Sequence, residues 1–270
     1  MIRRLLNIPK GQYDIRVCAI LSLIVKIRRK LDYRSLSGYF QENNDKAGRC
    51  ELQKLYDTIR YDTSRLQQII SEIDQVLQNI ITWIANTDAN KEIHIDSSGF
   101  GLKIYTEWKH AKYGKMSVHK YVKLHAIRAR RGKILTCTIT EGMENDSPQL
   151  GSCSSRVQTV RAMMMSIFWV TQPTTACKAI KASGRIPIIT PKKGQSPKGF
   201  NAWPDMLRSL EKHPRTHYTI PYYTILRRRN NIESTFSSLK ARFGTMVSTK
   251  SLKTQTIDLL GMAICFNIAH

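Results

Sequence analysis

The sequence predicts a mixed α/β fold preceded by a helical region. From Gln12 to about Asn90 apolar residues follow helical spacing. After a polar break at residues 86–90 the period shortens to that of strands. A hairpin pattern then gives way to alternating helix and strand, which sets sheet and helices in one domain. The expected division is a helical N-terminal region over residues 1–90 and an α/β domain over residues 91–270.

In the first region residues 15–27 are almost continuously apolar, and residues 33–39 continue after a short break. Leu66, Ile69, Ile70, Ile73, Val76, Leu77, Ile80 and Ile81 recur at three- and four-residue intervals, an amphipathic helix with Asp62 and Thr63 as candidate N-caps. In the second region residues 92–96 read as a short strand and residues 97–101, rich in Ser and Gly, as a turn. Residues 121–127 and 133–140 read as strands joined by a basic turn, and residues 186–189 as a strand after a helix closed by Ser183 and Gly184. A loop at 195–199, a helix at 202–210, a long helix from Ile232 to near Gly244 and an apolar helix at 251–268 complete the chain. There are no internal repeats.

The 270 residues suffice for one large domain, or for a core with a helical extension, and 41% hydrophobic residues support a buried core. Charge is the strongest compositional feature: 43 Lys and Arg against 20 Asp and Glu leave +23. Basic clusters occur at residues 26–30, 128–133, 192–198, 227–229 and 240–242, so the body of the protein is basic rather than one tail. Such a field attracts polyanions, of which DNA and RNA are the usual ones. No apolar run reaches the roughly 18 residues of a membrane span, and residues 1–10 do not resemble a secretory signal. The six cysteines are scattered without metal-site spacing, as expected of reduced thiols in the cytoplasm.

Two carboxylates stand out. Asp96 follows Ile93 and Ile95 at the end of the expected strand, where a strand fixes a ligand and an adjoining turn leaves it open; the simpler role of such an Asp is turn formation. Glu233 lies just after Arg227, Arg228 and Arg229, with Lys240 two turns later. Spacings of four and seven put Arg229, Glu233 and Lys240 on one side of a helix, while Ile232, Phe236 and Leu239 give it an apolar side close to Glu233. A solvated, salt-bridged helix face is the competing account.

Residues 93–267 resemble the insertion-sequence transposases of the DDE superfamily. Their signature sets Tyr, Arg three on, Glu four further and Lys seven beyond. Arg229, Glu233 and Lys240 match; the Tyr position is Leu226, with Tyr222 and Tyr223 close by. His94-Ile95-Asp96-Ser97-Ser98-Gly99 resembles the first catalytic block, Glu144-Asn145-Asp146-Ser147 the short block after the hairpin, and residues 186–193 the strand that follows the second block. The resemblance implies a ribonuclease-H-like sheet flanked by helices, with Asp96 near Glu233. It implies two Mg²⁺ ions held by carboxylates, activating water or a DNA 3′-hydroxyl and stabilising the leaving oxygen. Asp96 and Glu233 would be the outer ligands, with Arg227, Arg228, Arg229 and Lys240 on the DNA, positioning phosphates rather than reading bases. The implied partner is DNA carrying the transposon's terminal inverted repeats, the implied assembly a homodimer, and the implied location the cytoplasm, on the nucleoid.

The family's second catalytic Asp is missing. Residues 151–176 contain no Asp or Glu but do contain Met163-Met164-Met165-Ser166-Ile167-Phe168-Trp169-Val170. One account is a buried apolar strand with Asp146 as the substitute metal ligand. The other is translation out of frame. When the third base of each codon joins the first two of the next, Phe168–Trp169 must give Leu and Trp169–Val170 must give Gly. Val170–Thr171 then permits Asp, and each adjacent pair among Met163, Met164 and Met165 must give Asp. The shifted frame thus permits Leu-Gly-Asp-Pro-Ala-Tyr-Asp, the family's pattern in the expected place. As written, the chain is expected to bind DNA but not to cleave it efficiently. A catalytically dead DNA-binding remnant is the nearest alternative; a basic RNA-binding protein is another, without a recognisable aromatic RNA-binding motif.

Overall fold

A computed structural model of the chain describes residues 15–32, 35–36, 38–39, 74–85, 92–103, 120–129, 132–142, 144, 164–167, 186–189, 230–249 and 251–270. The elements are α1 (Ile15–Arg29), α2 (Asp74–Ala85), β1 (Glu92–Leu102), β2 (Tyr121–Ala129), β3 (Ile134–Glu141), β4 (Met164–Ile167), β5 (Ile186–Ile189), α3 (Asn230–Phe243), β6 (Met246–Val247) and α4 (Leu252–Ala269). The protein is mixed α/β, as expected.

Strand order in the sheet is β3-β2-β1-β4-β5, with β6 also pairing β1. β2 and β3 form a hairpin: Ala129 N–H donates to Lys133 O at 2.9 Å and Gly132 N–H to Ala129 O at 3.0 Å. Gly132 turns the chain at φ 109°, a conformation open to glycine at no steric cost. The end of β1 meets the start of β2, where Leu102 N–H donates to Lys120 O at 3.1 Å, so these two strands run oppositely. β4 runs parallel to β1, from Glu92↔Met164 to Ile95↔Ile167, and β5 runs parallel to β4. In the middle of β2, Leu124, His125, Ala126 and Ile127 are buried in succession, so both faces of that strand are covered. His125 Nε2 shares a buried hydrogen bond of 2.9 Å with Thr140 Oγ1 of β3.

One expectation is corrected. Residues 97–101 are not a turn: β1 continues through them to Leu102. Gly101 pairs with Met246 of β6, and its N–H donates to Thr245 O at 2.9 Å. Ladder partners on neighbouring strands overrule the local turn preference of Ser and Gly. The hairpin strands, β5, α3 and α4 fall where the sequence puts them. Helix α2 continues past Ile81 to Ala85. Asp62, Thr63, residues 66–73, the helix end at 183–184, the loop at 195–199 and the helix at 202–210 lie outside the described residues.

The chain divides into two compact units, residues 1–84, 100–122 and 239–270 in the first, and residues 85–99 and 123–238 in the second. In the first, α1 meets α4 at Gly261, where a Cβ would come within 2.3 Å of Ile27 Cδ1 and 3.0 Å of Leu23 Cγ. Helix α4 is apolar nearly all round, and Ile257 to Asn267 are buried without interruption. Ser251 caps it, its hydroxyl accepting from Thr254 N–H at 3.3 Å. Buried Asp258 pairs with buried Lys26 of α1 at 2.5 Å and accepts from Thr249 Oγ1 at 3.4 Å. No helix among the described residues is long and apolar enough to cross a membrane.

Candidate active site

Asp96 sits within β1, half-buried, at the same strand face as His94 and Ser98. Its Oδ1 accepts a hydrogen bond from Ser97 N–H at 2.8 Å, so backbone holds one edge of the carboxylate. Ile93 and Ile95 are buried on the alternate face, which anchors the strand on either side of the acid. The carboxylate is thus fixed by an unbroken strand rather than by the strand end expected from sequence. Alongside, β4 stops at the Ile95↔Ile167 pair, one position before Asp96. Val170 and Thr171 lie outside the described residues.

Glu233 occupies the first turn of α3, exposed, where the helix dipole favours an acid. Ile232, Phe236 and Leu239 are buried, so the helix is seated by the apolar side expected beside Glu233. Thr235, also buried, donates its hydroxyl to Asn231 O at 3.1 Å. Lys240 is half-buried with its Nζ 5.2 Å from the Phe100 ring centroid, within cation–π range. Burial lowers its pKa below the ordinary lysine value. Helix α3 ends just beyond, where Gly244 adopts φ 98° and donates its N–H to Lys240 O at 2.8 Å.

The boundary between the units cuts β1 after Gly99 and α3 after Ser238. Asp96 and Glu233 therefore share the second unit, and Phe100 and Lys240 the first. Asp146, Arg227, Arg228 and Arg229 lie outside the described residues. Among the described residues no group of three His, Cys, Asp or Glu is placed to hold a metal ion. Cys137 and Cys265 are buried thiols outside any disulfide. Burial pushes the Cys265 thiol up to about 12, against the opposing pull of Arg28.

Sequence reasoning missed Phe100 as the partner of Lys240. Its signal lies in the sequence, an aromatic two residues after Ser98 in a stretch whose Ser and Gly favour a turn. It also missed the contact of Arg242 with Phe266, whose ring centroid lies 5.7 Å from the guanidinium carbon, and that ring's stacking on His270 at 5.4 Å. Compared with protein-family models and with curated proteins, the chain matches none.

Proposed function

We propose that the chain is a DDE-type insertion-sequence transposase on a ribonuclease-H-like core, retaining DNA binding and two catalytic carboxylates, with its second catalytic block out of frame. The observation that carries this reading is the sheet. An antiparallel β1-β2-β3 meander extended by β4 and β5, both parallel to β1, is the arrangement in which a second catalytic strand lies beside the Asp96 strand. The strand found there, Met164–Ile167, carries no acid in the frame as written. In the shifted frame both junctions of the Met163-Met164-Met165 run encode Asp, and the residues that follow permit Leu-Gly-Asp.

Asp96 and Glu233 offer oxygen donors of the kind that hard divalent cations take. When bound, two Mg²⁺ would supply Lewis-acid stabilisation of the phosphodiester oxygens. Among the described residues no group of three such donors is placed to hold that pair of ions. The chain's residues retain other roles. Strand β1 fixes the Asp96 carboxylate, and Lys240 over Phe100 ties the end of α3 to the end of β1. Arg227, Arg228 and Arg229, just before α3, engage DNA phosphates, and the overall charge of +23 supplies attraction to the terminal repeats. The working form is a homodimer on the nucleoid.

The test repairs the frame across residues 151–176 and compares both proteins on duplexes carrying the terminal inverted repeats. Both should bind, with a steep negative slope of log affinity against log salt, and only the repaired chain should nick with Mg²⁺. Equal nicking by the two chains would refute the frame reading. Equal affinity for RNA and DNA in both would favour the RNA-binding alternative.

A further inference from the structure

We infer that Phe100, near the end of β1, is a positioning residue: its ring seats the Lys240 ammonium where that ammonium meets a DNA backbone phosphate. This role rests on the DNA-binding reading above and adds to it the residue through which one cation is aimed. Lys240 leaves the last turn of α3 with its Nζ 5.2 Å from the Phe100 ring centroid. Phe100 is fully buried, so close packing holds its ring in place. Backbone bonds set the two residues against each other. Gly244 N–H donates to Lys240 O at 2.8 Å and closes the helix, and Gly101 N–H donates to Thr245 O at 2.9 Å. The residue after Phe100 is therefore bonded to the chain just beyond Lys240, and buried Leu239 seats the helix beside it. The lysine stem starts from a fixed place relative to the ring.

An aromatic seat differs from an ion pair in what it leaves over. A carboxylate would neutralise the ammonium, whereas a ring attracts it through its quadrupole and leaves the charge intact. Burial lowers the Lys240 pKa, and no carboxylate among the described residues opposes that effect. Methionine would cover the same ring without a charge to desolvate, so packing alone does not account for a lysine here. A phosphate oxygen supplies the charged acceptor that no described residue provides, through a charge-assisted hydrogen bond. Partial burial lowers the surrounding dielectric and strengthens that attraction. The ring also restricts a long side chain before DNA arrives, which reduces the entropy lost on binding.

The experiment uses the full chain, its Phe100→Leu and Lys240→Met variants, their combination and the charge-keeping Lys240→Arg. Affinity for a mixed-sequence DNA duplex is measured across a salt series. Lys240→Met should make the log–log salt slope shallower by about one, the loss of one phosphate contact. Phe100→Leu should weaken binding although it removes no charge, and should change nothing further once Lys240→Met is present. Lys240→Arg should restore the slope lost in Lys240→Met, since a guanidinium also suits an aromatic face. A merely structural Phe100 would weaken binding equally with and without Lys240; such additive losses would overturn the positioning role and leave DNA binding standing. A parent that binds no duplex would overturn the DNA reading and this role with it. Where Phe100→Leu melts too low to be assayed, the proton resonances of Lys240 in the parent decide. Its ε-methylene protons should lie upfield, shielded by the ring, and should move when duplex is added. Resonances at the position of an unrestrained lysine, or unmoved by duplex, would overturn the role. Failure of Mg²⁺ nicking by the repaired chain would leave all these readouts intact.

Discussion

Helices α3 and α4 are neighbours in sequence, 14 and 18 residues long, and each carries an acid, yet the two acids have opposite circumstances. Glu233 on α3 is exposed in the first turn of a helix that buries one side only. Asp258 on α4 is 2% exposed in a helix buried on nearly every side, held by Lys26 from a segment 232 residues away. An exposed carboxylate keeps its hydration and can be given to a cation or a substrate. A buried one must be matched by charge and hydrogen bonds, and is then structural. Mutation should therefore separate the two acids by effect on stability.

The largest effect is expected at the buried acid. Asp258→Ala removes the carboxylate that faces the buried Lys26 ammonium and should lower unfolding free energy by roughly 3–5 kcal/mol. The double variant Lys26→Met with Asp258→Leu should recover most of the loss. Urea denaturation measures both, and a double variant as unstable as the single would show that the pair itself carries the stability. Next comes the helix contact beside it. Gly261→Ala puts a Cβ within 2.3 Å of Ile27 Cδ1 and should cost about 1–3 kcal/mol. Since Ile27→Val shortens the obstructing side chain, it should return part of that loss.

A smaller, pH-dependent effect belongs to Cys265 of α4. Its folded value near 12 lies above the ordinary thiol value of 9.0, so the unfolded chain loses the proton first. The stabilisation is complete below pH 9 and declines as pH rises from 9 towards 12, by about 1 kcal/mol at pH 10. Stability measured from pH 8 to 10 should fall less steeply in Cys265→Ala; identical slopes would remove the buried thiol from the account. The smallest effect is expected at Glu233. Glu233→Gln should change stability by no more than about 0.5 kcal/mol, while abolishing nicking in a frame-repaired chain. A loss on the scale of Asp258→Ala would erase the contrast between the helices and make Glu233 structural.

Period and charge, both local properties, were enough to determine the mixed α/β class, the hairpin at β2 and β3, the seating of α3 on Ile232, Phe236 and Leu239, and the basic body. Hydrophobic spacing records which side of a helix is buried, and composition records net charge. Three-dimensional pairing decided the rest. The Ser and Gly residues at 97–101 are extended within β1, whose end is paired at Gly101 and Leu102 by β6, almost 150 residues downstream. Asp258 resembles any helix acid until Lys26 is brought to it from α1. Lys30 belongs to an ordinary basic run until the close of α1 forces its backbone left-handed beside a cavity. The Asp96 carboxylate was legible from its flanking isoleucines, but not the strand register that sets β4 beside it. Each of these depends on residues far apart in the chain, and neither periodicity nor composition contains the entropy-costly closure that brings them together.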